Sequence, residues 1–159
     1  MINSFSRLNS YILMNFTTMK QQQWKVNTTY ELGSKKFSES EIIEFAKVHD
    51  PLDFHIDLEA AKKSRFKGLV CSGGQAFYHF YPKVWVPFFG DTVIAGMGLK
   101  DWNFLAPIYV NEMINAKCSI QETINREIKE EIIVVWYFEF FDKNNKLLQN
   151  LTLTVLHKN

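Results

Sequence analysis

The sequence predicts an α+β domain, an antiparallel sheet packed around a mostly apolar helix. Two observations carry the prediction. Between Ser38 and Gly90 the apolar residues recur with helical spacing, and after Gly90 the period changes to two. A single chain that turns from one period to the other has to bury its helical stripe against one face of its sheet.

The elements follow in order. Ser38 and Glu41 form an S-x-x-E capping box, in which hydroxyl and carboxylate satisfy orphan N–H groups reciprocally. Behind it Ile42, Ile43, Phe45 and Ala46 make a helical stripe that runs to about Val48. Pro51 stops this helix, because Asp50 before it is pushed out of the α region. Asp57 is placed to cap a second short helix over residues 58–63. Gly68 breaks the chain. Ser72-Gly73-Gly74 then opens a third helix carrying Ala76, Phe77, Phe80, Tyr81 and Val84, with Ser72 as its expected N-cap and Pro82 as a point of kinking. In the strand half, Ile114, Ala116, Cys118 and Ile120 alternate with polar residues, and Leu147, Leu151, Leu153 and Val155 alternate mostly with polar residues, with Leu148 and Leu156 on the other side. Between them residues 132–141 are almost continuously apolar, which predicts a strand covered on both faces. Polar turns at 125–130 and 142–146 make the set a meander.

Composition excludes several classes. At 159 residues the chain suits one domain able to bury a core without staples. The expected organisation is a mobile tail over residues 1–24 and a single domain over 25–159. The formal net charge is +1 and no long basic tract occurs, so no nucleic-acid partner is expected. A short cluster, Lys62, Lys63, Arg65 and Lys67, could serve a small anionic ligand. No apolar stretch reaches the roughly 18 residues of a membrane span, so no membrane partner is expected. Cys71 and Cys118 lack metal-site spacing and read as two reduced thiols of a cytoplasmic protein. Aromatic residues make up 15%, which favours a thick core or an apolar pocket.

Groups able to do chemistry concentrate in the segment H-D-P-L-D-F-H-I-D, residues 49–57, followed by Cys71 and Ser72. Beyond a helix end, a five-residue offset lets Asp50 and His55 converge on one small molecule and hold a water between them. The plainer alternative makes Asp50 a turn residue and His55 a hydrogen-bonded core imidazole. His49 reads as a helix-end residue, Asp57 as a cap and Asp53 as solvent-exposed; no HxH or HExxH spacing supports a metal site. Ser72-Gly73-Gly74 at a helix start presents backbone N–H groups where a carbonyl gaining negative charge would be stabilised. Cys71 beside it reads as a small core residue more readily than as a nucleophile.

The pattern F-A-x-x-x-D-P-x-x-F-H-x-D, then F-x-G-L-V-x-S-G, resembles the MaoC-like hydratase/dehydratase family of the hot-dog superfamily. The residues that carry it are Phe45-Ala46, Asp50-Pro51, Phe54 to Asp57, Phe66, Gly68 to Val70 and Ser72-Gly73, with a weaker continuation at Gly98-Leu99, Trp102, Phe104 and Pro107. The resemblance implies a hot-dog fold, an antiparallel sheet wrapped around a central helix, and a homodimer or an oligomer of dimers. It implies (R)-specific enoyl-CoA hydratase chemistry on an acyl-CoA or acyl carrier protein thioester, with Asp50 and His55 as the catalytic pair. Gly73 N–H would stabilise the thioester oxygen and Ser72 would orient the pair or the helix start. No metal and no redox cofactor is called for. A hot-dog thioesterase and a non-catalytic acyl-binding subunit are the alternatives. One departure stands out: the Asn-Pro often found between the family's Asp and His is replaced here by Leu52 and Asp53.

Overall fold

A computed structural model describes residues 24–126 and 130–159. The expected tail lies outside the described residues except for its last member, Trp24, whose ring packs on the core against Phe89, Trp136 and His157.

Among the described residues five strands form one antiparallel sheet: β1 Thr29–Lys36, β2 Val93–Phe104, β3 Met113–Arg126, β4 Glu131–Phe141 and β5 Leu147–Lys158. Their spatial order is β1-β3-β4-β5-β2. The predicted meander is therefore the middle of the sheet, and β1 and β2 close its two edges. Gly33, at φ 92°, supplies the left-handed residue where the β1–β3 register slips between Glu31 and Gly33.

The helices lie between β1 and β2 in sequence. Helix α1, Glu39–His49, starts on the capping box, with both of its reciprocal hydrogen bonds formed, and ends at Asp50. A four-residue helix, α2 Asp53–Ile56, follows Pro51 and was not expected from the sequence. Helix α3, Leu58–Lys63, is capped by the Asp57 carboxylate, which accepts from Ala60 N–H at 2.8 Å.

The central helix departs from expectation at its start. Helix α4 spans Gln75–Phe80 with Gly74 as its N-cap, so Ser72 is not the cap. The Ser72 carbonyl closes a turn with Gln75 N–H at 3.0 Å, and its hydroxyl is engaged elsewhere. Pro82 does not end the helix. It sits in a wider π turn, Tyr81–Trp85, where Val86 N–H reaches back to the Tyr81 carbonyl, and α5 Val86–Phe89 continues beyond it. Widening one turn accommodates a ring that would otherwise collide with the preceding carbonyls.

This helical rod buries Phe80, Trp85 and Phe89 against β4, with the Trp85 and Trp136 rings edge to face at 5.3 Å. Among the described residues, the helices cover one face of the sheet. Accordingly β4 is not doubly covered: Ile132, Val134, Trp136, Phe138 and Phe140 are buried, and the alternate residues stay half-buried. Pairing with β4 places Gln149, Leu151, Leu153, Val155 and His157 of β5 on the same core face. Two residues of that row are polar.

Candidate active site

The turn between α1 and α2 holds Asp50 and His55. Asp50 N–H donates to the Ala46 carbonyl at 2.8 Å, fixing the carboxylate at the helix end, and Leu52 N–H donates to the Asp50 carbonyl at 2.8 Å. The single turn of α2 then swings His55 back, so that its Nε2 lies 3.4 Å from Asp50 Oδ2. Local geometry thus brings together the two residues singled out by their five-residue offset.

A more distant segment completes the arrangement. Residues Leu69–Ser72 run antiparallel to residues 108–110, with Cys71 N–H donating to the Ile108 carbonyl at 2.8 Å and Val70 bridged to Tyr109. The Val70 carbonyl lies 2.7 Å from His55 Nδ1. A carbonyl can only accept, so Nδ1 carries the proton and Nε2 is the ring atom turned toward Asp50. Ser72 Oγ donates to Asp50 Oδ2 at 2.9 Å. Both His55 and Ser72 are buried, whereas the Asp50 side chain stays one-third exposed, at 34%. Asp50 Oδ1 has no partner among the described residues, which leaves one carboxylate oxygen facing open space.

That space is a cavity of roughly 730 Å³, lined by Asp50, His55, Ser72, Gly73 and Gly74 on one side and by Trp102, Phe104 and Leu105 on another. Neither Gly73 nor Gly74 N–H finds an acceptor among the described residues. The Phe104 ring packs so closely on Gly73 that an added Cβ would lie 2.7 Å from it, which explains glycine at this position. Phe45, Phe54 and Phe66 make the wall mainly apolar, and Arg65 adds a cation.

The other candidates fall outside this chemistry. Asp57 is spent as a cap, Asp53 is exposed at the start of α2, and His49 ends α1 with its ring stacked on Tyr78. The Cys71 thiol is pushed up to about 12 by burial first and by the Glu112 charge second, so a thiolate nucleophile is disfavoured. Burial likewise raises Cys118. Sequence reasoning missed Gln149, a buried amide on the cavity wall; its signal was a polar residue inside the alternating apolar row of β5.

The geometry is a carboxylate and an imidazole nitrogen facing one another beside unengaged backbone N–H groups, in a largely apolar cavity. Such an arrangement can take a proton from a water and return one to an adjacent atom. Comparison with known proteins agrees with this architecture. The model of the MaoC-like domain matches residues 17–137. The chain is 30% identical over 145 residues to the Bacillus subtilis (strain 168) protein YdeM, covering 88% of this chain and 99% of that one; YdeM is itself described as uncharacterized. The MaoC-like dehydratase from Rhodospirillum rubrum superposes with a TM-score of 0.74 at 20% identity, over 85% of this chain and 93% of that one. The R-hydratase PhaJ1 from Pseudomonas aeruginosa superposes with a TM-score of 0.69 at 16% identity, over 85% and 83%. With a helix-filled antiparallel sheet of the hot-dog type and a family model matched over most of its length, this chain belongs to the MaoC-like dehydratase family.

Proposed function

We propose that the protein hydrates a trans-2-enoyl thioester to the 3-hydroxyacyl thioester, or catalyses the reverse dehydration, with Asp50 and His55 as the catalytic pair. The observation that carries this reading is the pairing of Nε2 and Oδ2 at 3.4 Å, with the ring tautomer set by Val70 and the carboxylate held by Ser72. A water held by the pair loses one proton to it as its oxygen bonds to C3. The pair delivers one proton to C2, so one water is added and no net proton is consumed. During the step, negative charge grows on the thioester oxygen, and the Gly73 N–H, without an acceptor among the described residues, is the donor assigned to it in this reading. Asp50 Oδ1, without a hydrogen-bond partner among the described residues, is the atom assigned to accept from the water.

The thioester handle is read as coenzyme A or an acyl carrier protein, both of which present phosphate. Arg65 at the cavity, close in sequence to Lys62, Lys63 and Lys67, supports an anionic handle. Buried, unactivated thiols agree with a cytoplasmic setting. A homodimer is also part of the proposal. Edge strand β2 exposes Ile94, Met97, Leu99 and Phe104, an apolar edge that a second copy would cover. Sedimentation is expected to give a dimer, and Met97→Lys is expected to shift it toward monomer; a wild-type monomer at micromolar concentration would refute the assembly.

The decisive experiment follows the loss of enoyl absorbance with crotonyl-CoA and longer enoyl-CoAs, for wild type and Asp50→Asn. Turnover is expected in wild type and a loss of at least about 100-fold in the variant. Release of free thiol instead would identify a thioesterase. Acyl-CoA binding without turnover across the panel would identify a non-catalytic binding subunit.

A further inference from the structure

Two side chains of one short segment hold α1 near its two ends. Ser72 Oγ donates to the Asp50 carboxylate at 2.9 Å, where α1 stops. Gln75 Nε2 donates to the Glu41 carbonyl at 3.0 Å, in the first turn of the same helix. Gln75 N–H also closes the intervening turn on the Ser72 carbonyl at 3.0 Å. The Glu41 oxygen can only accept, so the amide of Gln75 has its nitrogen turned toward α1. Glu41 is anchored in its turn, because its carboxylate accepts from Lys35 of β1 and from Ser38 N–H. A continuous set of bonds thus runs from β1 through Glu41 and Gln75 to Ser72 and Asp50.

Packing does not account for an amide at this position. Gln75 is buried, and its Oε1 has no hydrogen-bond partner among the described residues. An orphaned buried acceptor costs stability, and a Met of similar length would fill the space without that cost. The Glu41 carbonyl, inside a helix, would keep its partner within α1 if the amide were lost. Gln75 does not line the cavity of Asp50 and His55 either. What the amide does is mechanical. With the Ser72–Asp50 bond alone, the turn of residues 72–74 can pivot about that contact and carry the Gly73 N–H with it. A second bond to the far end of α1 stops the pivot.

We propose that Gln75 is a positioning residue, which locks the Ser72–Gly74 turn to α1 so that the Gly73 N–H and Asp50 keep a fixed relation. The inference rests on the hydratase reading above. Gln75 touches neither the substrate nor the reacting atoms, so its influence falls on kcat and leaves substrate affinity alone.

The test uses Gln75→Met and Gln75→Glu, with enoyl-CoA turnover, calorimetric binding of saturated acyl-CoA, and thermal melting. In Gln75→Met, kcat is expected to fall by about tenfold, the scale of a small misplacement of catalytic groups. Acyl-CoA affinity is expected to stay within about twofold of wild type. The melting temperature should hold or rise, opposite in direction to the activity. Gln75→Glu adds a signature of the hydrogen bond itself, because a carboxyl donates to the Glu41 carbonyl only when protonated. Glu41 and Glu44 of α1, His79 of α4 and Lys83 of the π turn line the small cavity beside position 75, and Lys35 pairs with Glu41. Gln75→Met keeps all five groups and therefore serves as the reference for their titration. Relative to wild type, the turnover of Gln75→Glu is expected to recover as pH falls from about 8 to about 5, while that of Gln75→Met stays flat. Wild-type kcat in Gln75→Met would overturn the positioning role, as would a loss of kcat accompanied by an equal loss of affinity or by a lowered melting temperature. A Gln75→Glu ratio as flat as that of Gln75→Met would also overturn it, and Gln75→Met decides by itself if Gln75→Glu does not fold. Absence of wild-type turnover on every enoyl-CoA would overturn the hydratase reading and this role with it.

Discussion

His55 and His157 are both buried, at 5% and 0% exposure, and each has its Nδ1 committed to an oxygen. The Val70 carbonyl holds His55 Nδ1 at 2.7 Å, and Thr92 Oγ1, itself donating to the Phe89 carbonyl, holds His157 Nδ1 at 2.8 Å. The two rings differ at Nε2. In His157 that nitrogen accepts from the Trp136 indole at 3.2 Å, and the ring is walled by Trp24, Trp85 and Trp136. In His55 it faces a carboxylate across 3.4 Å at the edge of a cavity. The same tautomer is thus used twice, once with every hydrogen-bonding atom satisfied and once with a nitrogen available for a proton. Burial does not separate the structural imidazole from the chemical one. The state of the second nitrogen does.

The largest expected effect breaks the pair at its chemical end. His55→Asn puts an amide donor at the position of Nδ1, within reach of the Val70 carbonyl, and removes the basic nitrogen. Turnover of enoyl-CoA is expected to fall by at least about 100-fold, the scale of general acid–base loss. The melting temperature should change little. Full activity in this variant would remove His55 from the mechanism and make its facing of Asp50 incidental.

The reciprocal change falls on stability. His157→Phe conserves the ring and strands the Trp136 N–H inside the core, while the Thr92 hydroxyl keeps its bond to the Phe89 carbonyl. An orphaned buried donor costs on the order of 1–3 kcal/mol. Denaturant unfolding should register that loss, while activity per folded molecule stays at the wild-type level, because His157 does not line the cavity. Equal damage to turnover and stability would join the two histidines into one functional unit and defeat the comparison.

How much of this contrast is readable from sequence depends on the range of the interaction. The Ser38–Glu41 box, the Pro51 stop, the Asp57 cap and the turn at Asp142, whose Oδ1 accepts from Asn144 and Lys146 N–H, are local, and the residue types alone specify them. The convergence of Asp50 and His55 is nearly local and follows from a helix end plus a short offset. Ser72 is different. Its position beside glycines predicts a cap, whereas a contact across 22 residues takes its hydroxyl to Asp50 and moves the helix start to Gln75. Gln149 and His157 sit in one β5 row that alternation marks as core, and period alone cannot say that one of them meets a cavity and the other a tryptophan box. That distinction comes from which strand or helix lies opposite, and for β5 the neighbours are β4 and β2, contacts set by the whole sheet.

The smallest expected effect sharpens the comparison through pH. Burial pushes His157 down from 6.5 to about 4, so the folded protein keeps the ring neutral where the unfolded chain would protonate it. Between those two values the unfolded state binds more protons, and protonation therefore favours unfolding. The contribution is fully present above about pH 6.5, declines as pH falls toward about 4, and is spent below that. Glu41, held down to about 2 chiefly by its hydrogen bond from Lys35, loses its stabilisation in a lower window, as pH falls from 4.5 through about 2. His79, also lowered by burial, shares the upper window and remains in the variant. Melting temperature measured from pH 7 to pH 4 should thus fall in wild type and fall less steeply in His157→Phe. Parallel slopes in the two proteins would mean that His157 takes up its proton equally in the folded and unfolded states, against the Trp136 indole that donates to its Nε2.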